Sequence, residues 1–223
     1  MTGVIFDFNG TMFDDSSKQR QVWLAYAEKT FHRTISEEEF GQYFWGRNTE
    51  FSLQYLAGHP MDKKELYDET ERLEEVYRNT CDAEEGYVRF TEDTIRLLDR
   101  LKQKEIPLAI ATASPKSNVD WYWERFSLEK WFAMENIVYD DGMIAGKPNP
   151  DFYLRAAEKI GRKPEECIVF EDAVSGIESA RRAGIGKIIA KAPEGKKDAF
   201  KRLTGVYKVI SSFDEVEDSI LEE

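Results

Sequence analysis

Polar residues that could do chemistry follow or interrupt several short apolar runs of the chain. They are Asp7, Asn9, Thr112, Lys147 and the neighbouring pair Glu171 and Asp172. Carboxylates that cluster repel one another unless a cation neutralises them, and their hard oxygen atoms favour Mg²⁺. An aspartate can also attack a phosphoryl group as a covalent nucleophile. If these side chains meet, the sequence therefore predicts a Mg²⁺ site suited to phosphate chemistry.

The apolar runs predict the strands of a buried parallel sheet. They are short, rich in β-branched and aromatic residues, and bounded by turn signals, at 4–8, 108–112, 137–139, 167–170, 187–190 and 207–210. Amphipathic helical segments alternate with them after residue 86, which implies right-handed crossovers and a doubly wound α/β fold. Ligands bind outside the carboxyl ends of such strands, where Asp7, Thr112 and Glu171 would lie.

The segment between the first two strands has a different pattern of apolar residues. Strand-like runs are absent from residues 15–85, and aromatic residues recur there at helical spacing. Ser36 followed by three glutamates is typical of a helix start. We therefore expect an all-helical module at 15–85, inserted into an α/β core formed by residues 1–14 and 86–223.

Composition narrows the class of protein. The chain has 223 residues, of which 41% are hydrophobic, and a net charge of −12. Such an acidic chain argues against nucleic-acid binding, which needs basic surface. No apolar run reaches the ~18 residues of a membrane helix, and no signal-peptide pattern is present. Cys81 and Cys167 suit buried free thiols. We expect a cytoplasmic protein without a membrane role, and nothing implies a partner protein.

Four motifs resemble those of the haloacid dehalogenase superfamily, in the expected order along nearly the whole chain. They are the segment 7–11 (Asp-Phe-Asn-Gly-Thr), Thr112, Lys147, and the segment 171–176 with Glu171, Asp172 and Gly176. The early helical insertion resembles the cap domain of that superfamily, and the nearest branch looks like the β-phosphoglucomutase-like phosphatases. The resemblance implies a Rossmann-like core under a helical cap and a Mg²⁺-dependent hydrolase.

The resemblance also implies a role for each motif residue. Asp7 would attack phosphorus, form an aspartyl phosphate and bind Mg²⁺. The further metal ligands would be the main-chain carbonyl of Asn9, Asp172 and Glu171, the last either directly or through water.

The remaining roles concern the phosphate. Thr112, Ala113 and Ser114 would grip its oxygens, and Lys147 would neutralise charge on the nucleophile and the transferring group. Without the resemblance, two simpler interpretations remain. Thr112 could cap the next segment, and Lys147 could be a solvated loop lysine.

Position 9 departs from the family pattern. Phosphatases of this family normally carry Asp where this chain has Asn9, and that carboxyl protonates the leaving oxygen and later activates water. An amide does not titrate near neutral pH. Positioned acid–base catalysis contributes ~10²–10⁴-fold, so turnover should suffer. Metal binding should survive, because the main-chain carbonyl remains.

Three explanations for Asn9 stay open at this point. The protein could be a phosphatase or phosphotransferase that is slow or uses a good leaving group. It could instead bind phosphate with little turnover. Its chemistry could also differ, since relatives that cleave carbon–halogen or carbon–phosphorus bonds lack that Asp. Lys18 could then form an imine, although a surface lysine is the simpler interpretation.

Four cap residues are candidates for substrate recognition. Gln19 lies near the start of the cap, and Trp45, Arg47 and Asn48 lie in a segment that resembles the specificity loop of the family. Arg47 could grip a distal phosphate or carboxylate and Trp45 could stack on a sugar ring; alternatively, Trp45 belongs to the cap core and Arg47 is solvated.

The predicted reaction is hydrolysis of a small phosphorylated metabolite, with sugar phosphates among the candidates. A β-phosphoglucomutase-like isomerase is the alternative enzyme. It is weakened because Gln19 and Thr49 stand where that branch has His and Arg. A weakly active phosphate-binding protein is the alternative without an enzymatic role.

Overall fold

The computed structural model describes residues 2–221, and its centre is a parallel sheet. The strands are β1 (Gly3–Phe6), β2 (Leu108–Pro115), β3 (Ile137–Asp140), β4 (Cys167–Glu171), β5 (Lys187–Lys191) and β6 (Val206–Ile210). Within the described residues they form one six-stranded sheet in the order β3-β2-β1-β4-β5-β6. Every pairing is parallel. The doubly wound α/β prediction is confirmed.

Helices connect the strands and cover both faces of the sheet. They are α1 (Ser16–Phe31), α2 (Glu37–Tyr43), α3 (Thr49–Ala57), α4 (Lys63–Asp82), α5 (Glu92–Gln103), α6 (Lys116–Phe126), α7 (Asp151–Lys159), α8 (Val174–Arg182), α9 (Lys197–Phe200) and α10 (Asp218–Leu221). None of the helices in the described part of the chain combines the length and apolar character needed to cross a membrane.

Helices α1 to α4 form the insertion between β1 and the rest of the core. Ser36 begins α2 with a capping box, in which its side chain accepts from the amide of Glu39 and the Glu39 carboxylate accepts from the amide of Ser36. This satisfies two amides that a helix start leaves without partners. Helix α3 was not predicted. The domain limits at residues 14/15 and 85/86 remain a prediction.

The two faces of the sheet bury separate hydrophobic clusters. Successive side chains of a strand point to opposite faces. Val4 and Phe6 accordingly pack into one cluster, which also contains residues of the inserted helices, α5 and α6. Ile5 packs into the other cluster, with residues of α7 and α8. The strand that precedes Asp7 is therefore fixed from both sides.

Two helical segments have local features of their own. Thr91 precedes α5, but its side chain makes no hydrogen bond to the helix amides and its hydroxyl pairs with that of Thr94. A short 3₁₀ turn, Phe213–Glu215, precedes the one-turn helix α10. Cys81 and Cys167 are buried free thiols, as expected.

Phe6 provides a test of how firmly the central strand is held. Its ring stacks on Phe170 at 5.0 Å between centroids and meets Phe132 and Phe213 edge-on at 6.3 and 6.0 Å. Replacement by Ala should lower the free energy of unfolding by ~3–5 kcal/mol, measured by urea denaturation, because the cavity left behind cannot fully collapse. Phe51→Ala is the control, since that ring is 45% exposed, and an equal loss in both variants would contradict the prediction.

Candidate active site

The carboxyl ends of the three central strands bring the first motif residues together. Strand β1 lies between β2 and β4, with Phe6 paired to Ile110 on one side and to Phe170 on the other. Asp7 directly follows Phe6, and its amide donates to the Phe170 carbonyl at 3.0 Å. Because the strands are parallel and in register, Asp7, Thr112 and Glu171 reach the same edge of the sheet.

Lys147 lies at the centre of this edge. Its side chain is fully buried, and its ammonium donates to Asp7 Oδ1 and to Glu171 Oε1 at 2.7 Å each. Burial alone would lower the pKa of Lys147, but the charges of Asp7 and Glu171 outweigh it and hold the pKa above its ordinary value. The ammonium therefore stays charged. The burial of its side chain excludes the interpretation of Lys147 as a solvated loop lysine.

Glu171 is fixed by several donors. Its Oε1 also accepts from the Tyr153 hydroxyl at 3.1 Å, and its Oε2 accepts from the Ala173 amide at 2.6 Å. Gly176 makes room for it, because a Cβ at that position would lie 1.6 Å from Oε1. Both oxygens are thus engaged by groups of the protein, and Glu171 orients Lys147.

Asp172 points to the other side of the site, toward the inserted helices. Its Oδ1 accepts from the Thr11 hydroxyl at 2.9 Å and its Oδ2 from the Trp45 indole at 3.2 Å. Burial, followed by the charges of Glu171 and Asp7, raises the pKa of Asp172 well above its ordinary value. Burial also raises the pKa of Asp7, although Lys147 opposes it.

The carboxylates only partly match the predicted metal site. Within residues 2–221, no three His, Cys, Asp or Glu side chains converge closely enough to hold a metal ion. The expected cluster of three carboxylates is therefore not formed, because Glu171 turns toward Lys147. Asp7 and Asp172 still place hard oxygens at one edge, where burial raises the pKa of both carboxyls. This donor set suits a cation such as Mg²⁺.

The predicted phosphate-binding residues lie at the end of β2, beside the same crevice. Thr112, Ala113 and Ser114 line it together with Asp7. Thr112 is buried, and its hydroxyl accepts from the Ser114 amide at 3.1 Å. It does not cap α6, whose first turn has no side-chain cap. The Ser114 hydroxyl donates to Asn9 Oδ1 at 2.9 Å.

Asn9 is held by a network that the sequence did not reveal. Its Nδ2 lies within hydrogen-bond distance of Asp15 Oδ2 at 2.8 Å and of the hydroxyls of Tyr122 and Tyr77 at 2.9 and 3.1 Å, and its two hydrogens are shared among these three acceptors. Its Oδ1 accepts from Ser114 and from the Tyr122 hydroxyl at 3.1 Å. The two tyrosines come from α4 and α6, so no local sequence signal could have found them. Asp15 lies six residues after Asn9, and only its proximity to the first motif was a hint.

The predicted cap residues divide into two groups. Gln19, Trp45 and Arg47 line the crevice. Gln19 donates to Asp15 at 2.8 Å, and Arg47 donates to the main-chain carbonyl of Lys147 at 2.8 Å. Asn48 does not line the crevice.

Asn48 instead lies in a neighbouring groove between α3 and the loop after β3. There it donates to Asp140. The structure therefore gives no support to a role for Asn48 in the crevice.

Glu74 is a crevice residue that the sequence analysis missed. It comes from α4, is 8% exposed, and its two oxygens accept from Thr49 and from Asn118 Nδ2. Burial raises the pKa of its carboxyl above the ordinary value. The cavity volume of the crevice is about 70 Å³, so the site is small.

Gly176 and Gly41 form a matched pair for testing the support of Lys147. Both glycines lie within helices, where Gly→Ala normally stabilises by ~0.5–1 kcal/mol. Gly41→Ala should follow that rule, because no atom lies within 4 Å of the added Cβ. Gly176→Ala should instead destabilise by ~1–3 kcal/mol, because the methyl group displaces Glu171. Urea denaturation of both variants measures the difference, and a stabilised Gly176→Ala would contradict this account.

Comparison with known proteins agrees with the geometry. The sequence profile of haloacid dehalogenase-like hydrolases matches residues 1–184. The phosphorylated carbohydrates phosphatase of Thermotoga maritima is 29% identical over 189 residues, covering 84% of each chain. Hexitol phosphatase A of Escherichia coli is 28% identical over 215 residues, covering 96% of this chain and 92% of that protein.

A solved structure gives the same result. The crystal structure of a HAD hydrolase of family IA, variant 3, from Entamoeba histolytica is 31% identical to this chain. It superposes with a TM-score of 0.86 and covers 98% of this chain and 96% of its own. The profile match extends over most of the sequence and includes all four motifs, so the chain belongs to the haloacid dehalogenase-like hydrolases.

Proposed function

We propose that this protein hydrolyses phosphate monoesters of small polyhydroxylated molecules, sugars or sugar alcohols, with Asp7 as the nucleophile. The observation that carries the proposal is the buried contact between Asp7 and Lys147 at the edge of the crevice. The two curated relatives are named as phosphatases of phosphorylated carbohydrates and of hexitols, which supports the same substrate class.

Asp7 and Lys147 would act together in the first step. The Asp7 carboxylate attacks phosphorus, an O–P bond to Asp7 forms, and the ester P–O bond breaks. The leaving oxygen takes its proton from solvent water and departs as the alcohol. Lys147 holds one carboxylate oxygen, so the nucleophile needs little reorganisation before attack. Its positive charge also stabilises the negative charge that the transferring group carries. Water then releases phosphate from Asp7 and regenerates the carboxylate.

The end of β2 supports binding of the phosphoryl group. Main-chain amides and hydroxyls at residues 112–114 lie along the crevice beside Asp7. Such groups position phosphate oxygens without adding charge. In this proposal Ser114 both contacts phosphate and, through its hydrogen bond, holds the Asn9 amide.

The proposed cofactor is Mg²⁺, held by the carboxylates of Asp7 and Asp172 and the main-chain carbonyl of Asn9. When bound, Mg²⁺ supplies positive charge next to the phosphate oxygens. In this proposal Glu171 acts by orienting Lys147, since both its oxygens accept from groups of the protein. Trp45 and Thr11 hold the Asp172 carboxylate in place by hydrogen bonds.

Asn9 sets the dependence on the leaving group. Its Oδ1 can orient a water molecule by accepting a hydrogen bond, but the amide cannot deliver a proton at neutral pH. Esters whose alcohols leave readily should therefore react fastest. This interpretation keeps Asn9 in the site as a polar contact rather than as an acid.

Glu74 supports a substrate without a second phosphate. A carboxyl in the crevice repels an additional anionic group but accepts hydrogen bonds from hydroxyls. Arg47, the cation that could have held a distal anion, already donates to the Lys147 carbonyl. The crevice is thus suited to a hydroxyl-rich remainder, which disfavours the mutase alternative and its bisphosphate intermediate.

The first test is an assay of phosphate release. We expect the wild type with Mg²⁺ to hydrolyse sugar and hexitol monophosphates, and Asp7→Asn to be inactive because it lacks the nucleophile. A nitrophenyl ester should react about 10²-fold faster than an alkyl ester, since no acid assists the leaving group. Chelation of the metal by EDTA should abolish turnover, and added Mg²⁺ should restore it.

Each part of this assay can fail separately. Turnover by the wild type no faster than by Asp7→Asn on every ester would refute the hydrolase proposal. Equal rates for nitrophenyl and alkyl esters would show that another group supplies the proton. Isomerisation of a sugar phosphate, activated by a sugar bisphosphate, would favour the mutase.

A second assay tests Glu74 as a specificity residue. In Glu74→Gln the shape is kept and the charge is lost, so the ratio of kcat/KM for a sugar bisphosphate to that for the monophosphate should rise about tenfold. Glu75→Gln is the matched control, because Glu75 is exposed on the same helix. An unchanged ratio in Glu74→Gln would remove Glu74 from substrate recognition.

A further inference from the structure

Asp15 is a buried carboxyl that the proposed reaction does not use. It is 0% exposed and does not line the crevice, so it cannot touch the substrate. Its Oδ1 accepts from the Gly10 amide at 2.9 Å, and its Oδ2 accepts from Asn9 and from Gln19 at 2.8 Å each and from the Tyr77 hydroxyl. Each of these donors is uncharged, so no cation compensates the Asp15 carboxyl. Burying a carboxyl without such compensation is energetically unfavourable.

The contacts determine which way the Asn9 amide faces. A carboxylate only accepts hydrogen bonds, so the group that faces Asp15 must be the Nδ2 of Asn9. Tyr77 also gives its proton to Asp15, which leaves the Tyr77 oxygen free to accept from Nδ2. The Oδ1 of Asn9 is therefore directed to Ser114, on the side where residues 112–114 line the crevice. The Tyr122 hydroxyl lies within hydrogen-bond distance of both amide atoms.

We propose that Asp15 is a positioning residue that fixes the Asn9 amide, and that Asn rather than Asp stands at position 9 because Asp15 already supplies the carboxyl of this pair. The catalytic consequence rests on the proposed phosphatase function, whereas the pairing itself does not. The two positions form a complementary unit of one carboxyl and one amide, in which the amide faces the crevice.

A single replacement of Asn9 by Asp should therefore fail to improve the site. The introduced carboxylate would present oxygens where Asp15, Tyr77 and Tyr122 now receive hydrogen bonds. Two buried acceptors would then face each other, and leaving a buried polar group unsatisfied is strongly unfavourable. The inserted carboxyl can be accommodated only if the residue at position 15 becomes the donor.

Four proteins test the proposal as a double-mutant cycle. They are the wild type, Asn9→Asp, Asp15→Asn and the exchange variant Asn9→Asp/Asp15→Asn. Asp14→Asn is the matched control, because it removes the same charge from the adjacent, exposed residue. Urea denaturation gives the unfolding equilibrium constant of each protein, and steady-state assays with Mg²⁺ give kcat and KM for the ester that the wild type uses best.

The expected result is strong coupling between the two positions. Each single variant should unfold more readily than the wild type. The unfolding equilibrium constant of the exchange variant should be at least tenfold smaller than the value expected if the two single effects were independent. Asp15→Asn should lower kcat by about tenfold to 10²-fold with little change in KM, because the side-chain amide of Asn9 would then rotate and exchange the positions of its oxygen and nitrogen. The exchange variant should recover that kcat, and Asp14→Asn should match the wild type in unfolding.

The proposal is overturned if Asn9→Asp is as stable as the wild type, or if the two single effects simply add. It is also overturned if the exchange variant does not fold, since that variant keeps one carboxyl and one amide. Folding of the exchange variant when Asn9→Asp does not fold supports it. Coupling in unfolding without hydrolysis by any variant would refute the phosphatase function alone, whereas hydrolysis without coupling would refute the pairing alone.

Discussion

The buried ammonium of Lys147 is the interaction on which the rest of the site depends. It joins the loop before α7 to the ends of β1 and β4 through Asp7 and Glu171. Removing one member of such a buried set typically costs ~3–5 kcal/mol, because the remaining charges lose their compensation. The close approach of Gly176 and the Tyr153 hydroxyl serve this contact, since both determine where Glu171 lies. The sheet thus positions the nucleophile, and Lys147 fixes its orientation.

The inserted helices contribute polar contacts to the same site rather than only covering it. Trp45 donates to Asp172, Arg47 to the Lys147 carbonyl, and Asn9 donates to Tyr77. Each contact joins a residue of the insertion to a motif residue of the core. The inserted helices thus hold Asp172 and the segment that carries Lys147 in place.

Sequence reasoning succeeded where the signal is local. The strand ends, the motif order, Lys147 and the helix start at Ser36 follow from patterns a few residues long, and the structure has them as expected. It failed where contacts join distant parts of the chain. Asn9 bonds to Tyr77 and Tyr122, which lie 68 and 113 residues away, and Glu74 reaches the crevice only because α4 packs there.

Side-chain direction was the second limit. Two adjacent acids at the end of β4 suggested a shared metal site, but a strand sends successive side chains to opposite faces. Glu171 consequently meets Lys147, while Asp172 meets Thr11 and Trp45. Spacing alone could not have decided which of the two carboxylates faces a cation.

The balance of buried charge explains why an amide is favourable at position 9. Asp7, Asp15, Glu74 and Glu171 are buried, whereas Lys147 is the single buried cation among residues 2–221. A phosphate dianion adds further negative charge, so its binding requires a second source of positive charge, which is the role of the proposed metal. A carboxyl at position 9 in addition to Asp15 would increase this excess beside the crevice. The amide at position 9 avoids that increase while keeping a hydrogen-bonding group beside the phosphate loop, and for this reason the identity of residue 9 cannot be interpreted without residue 15.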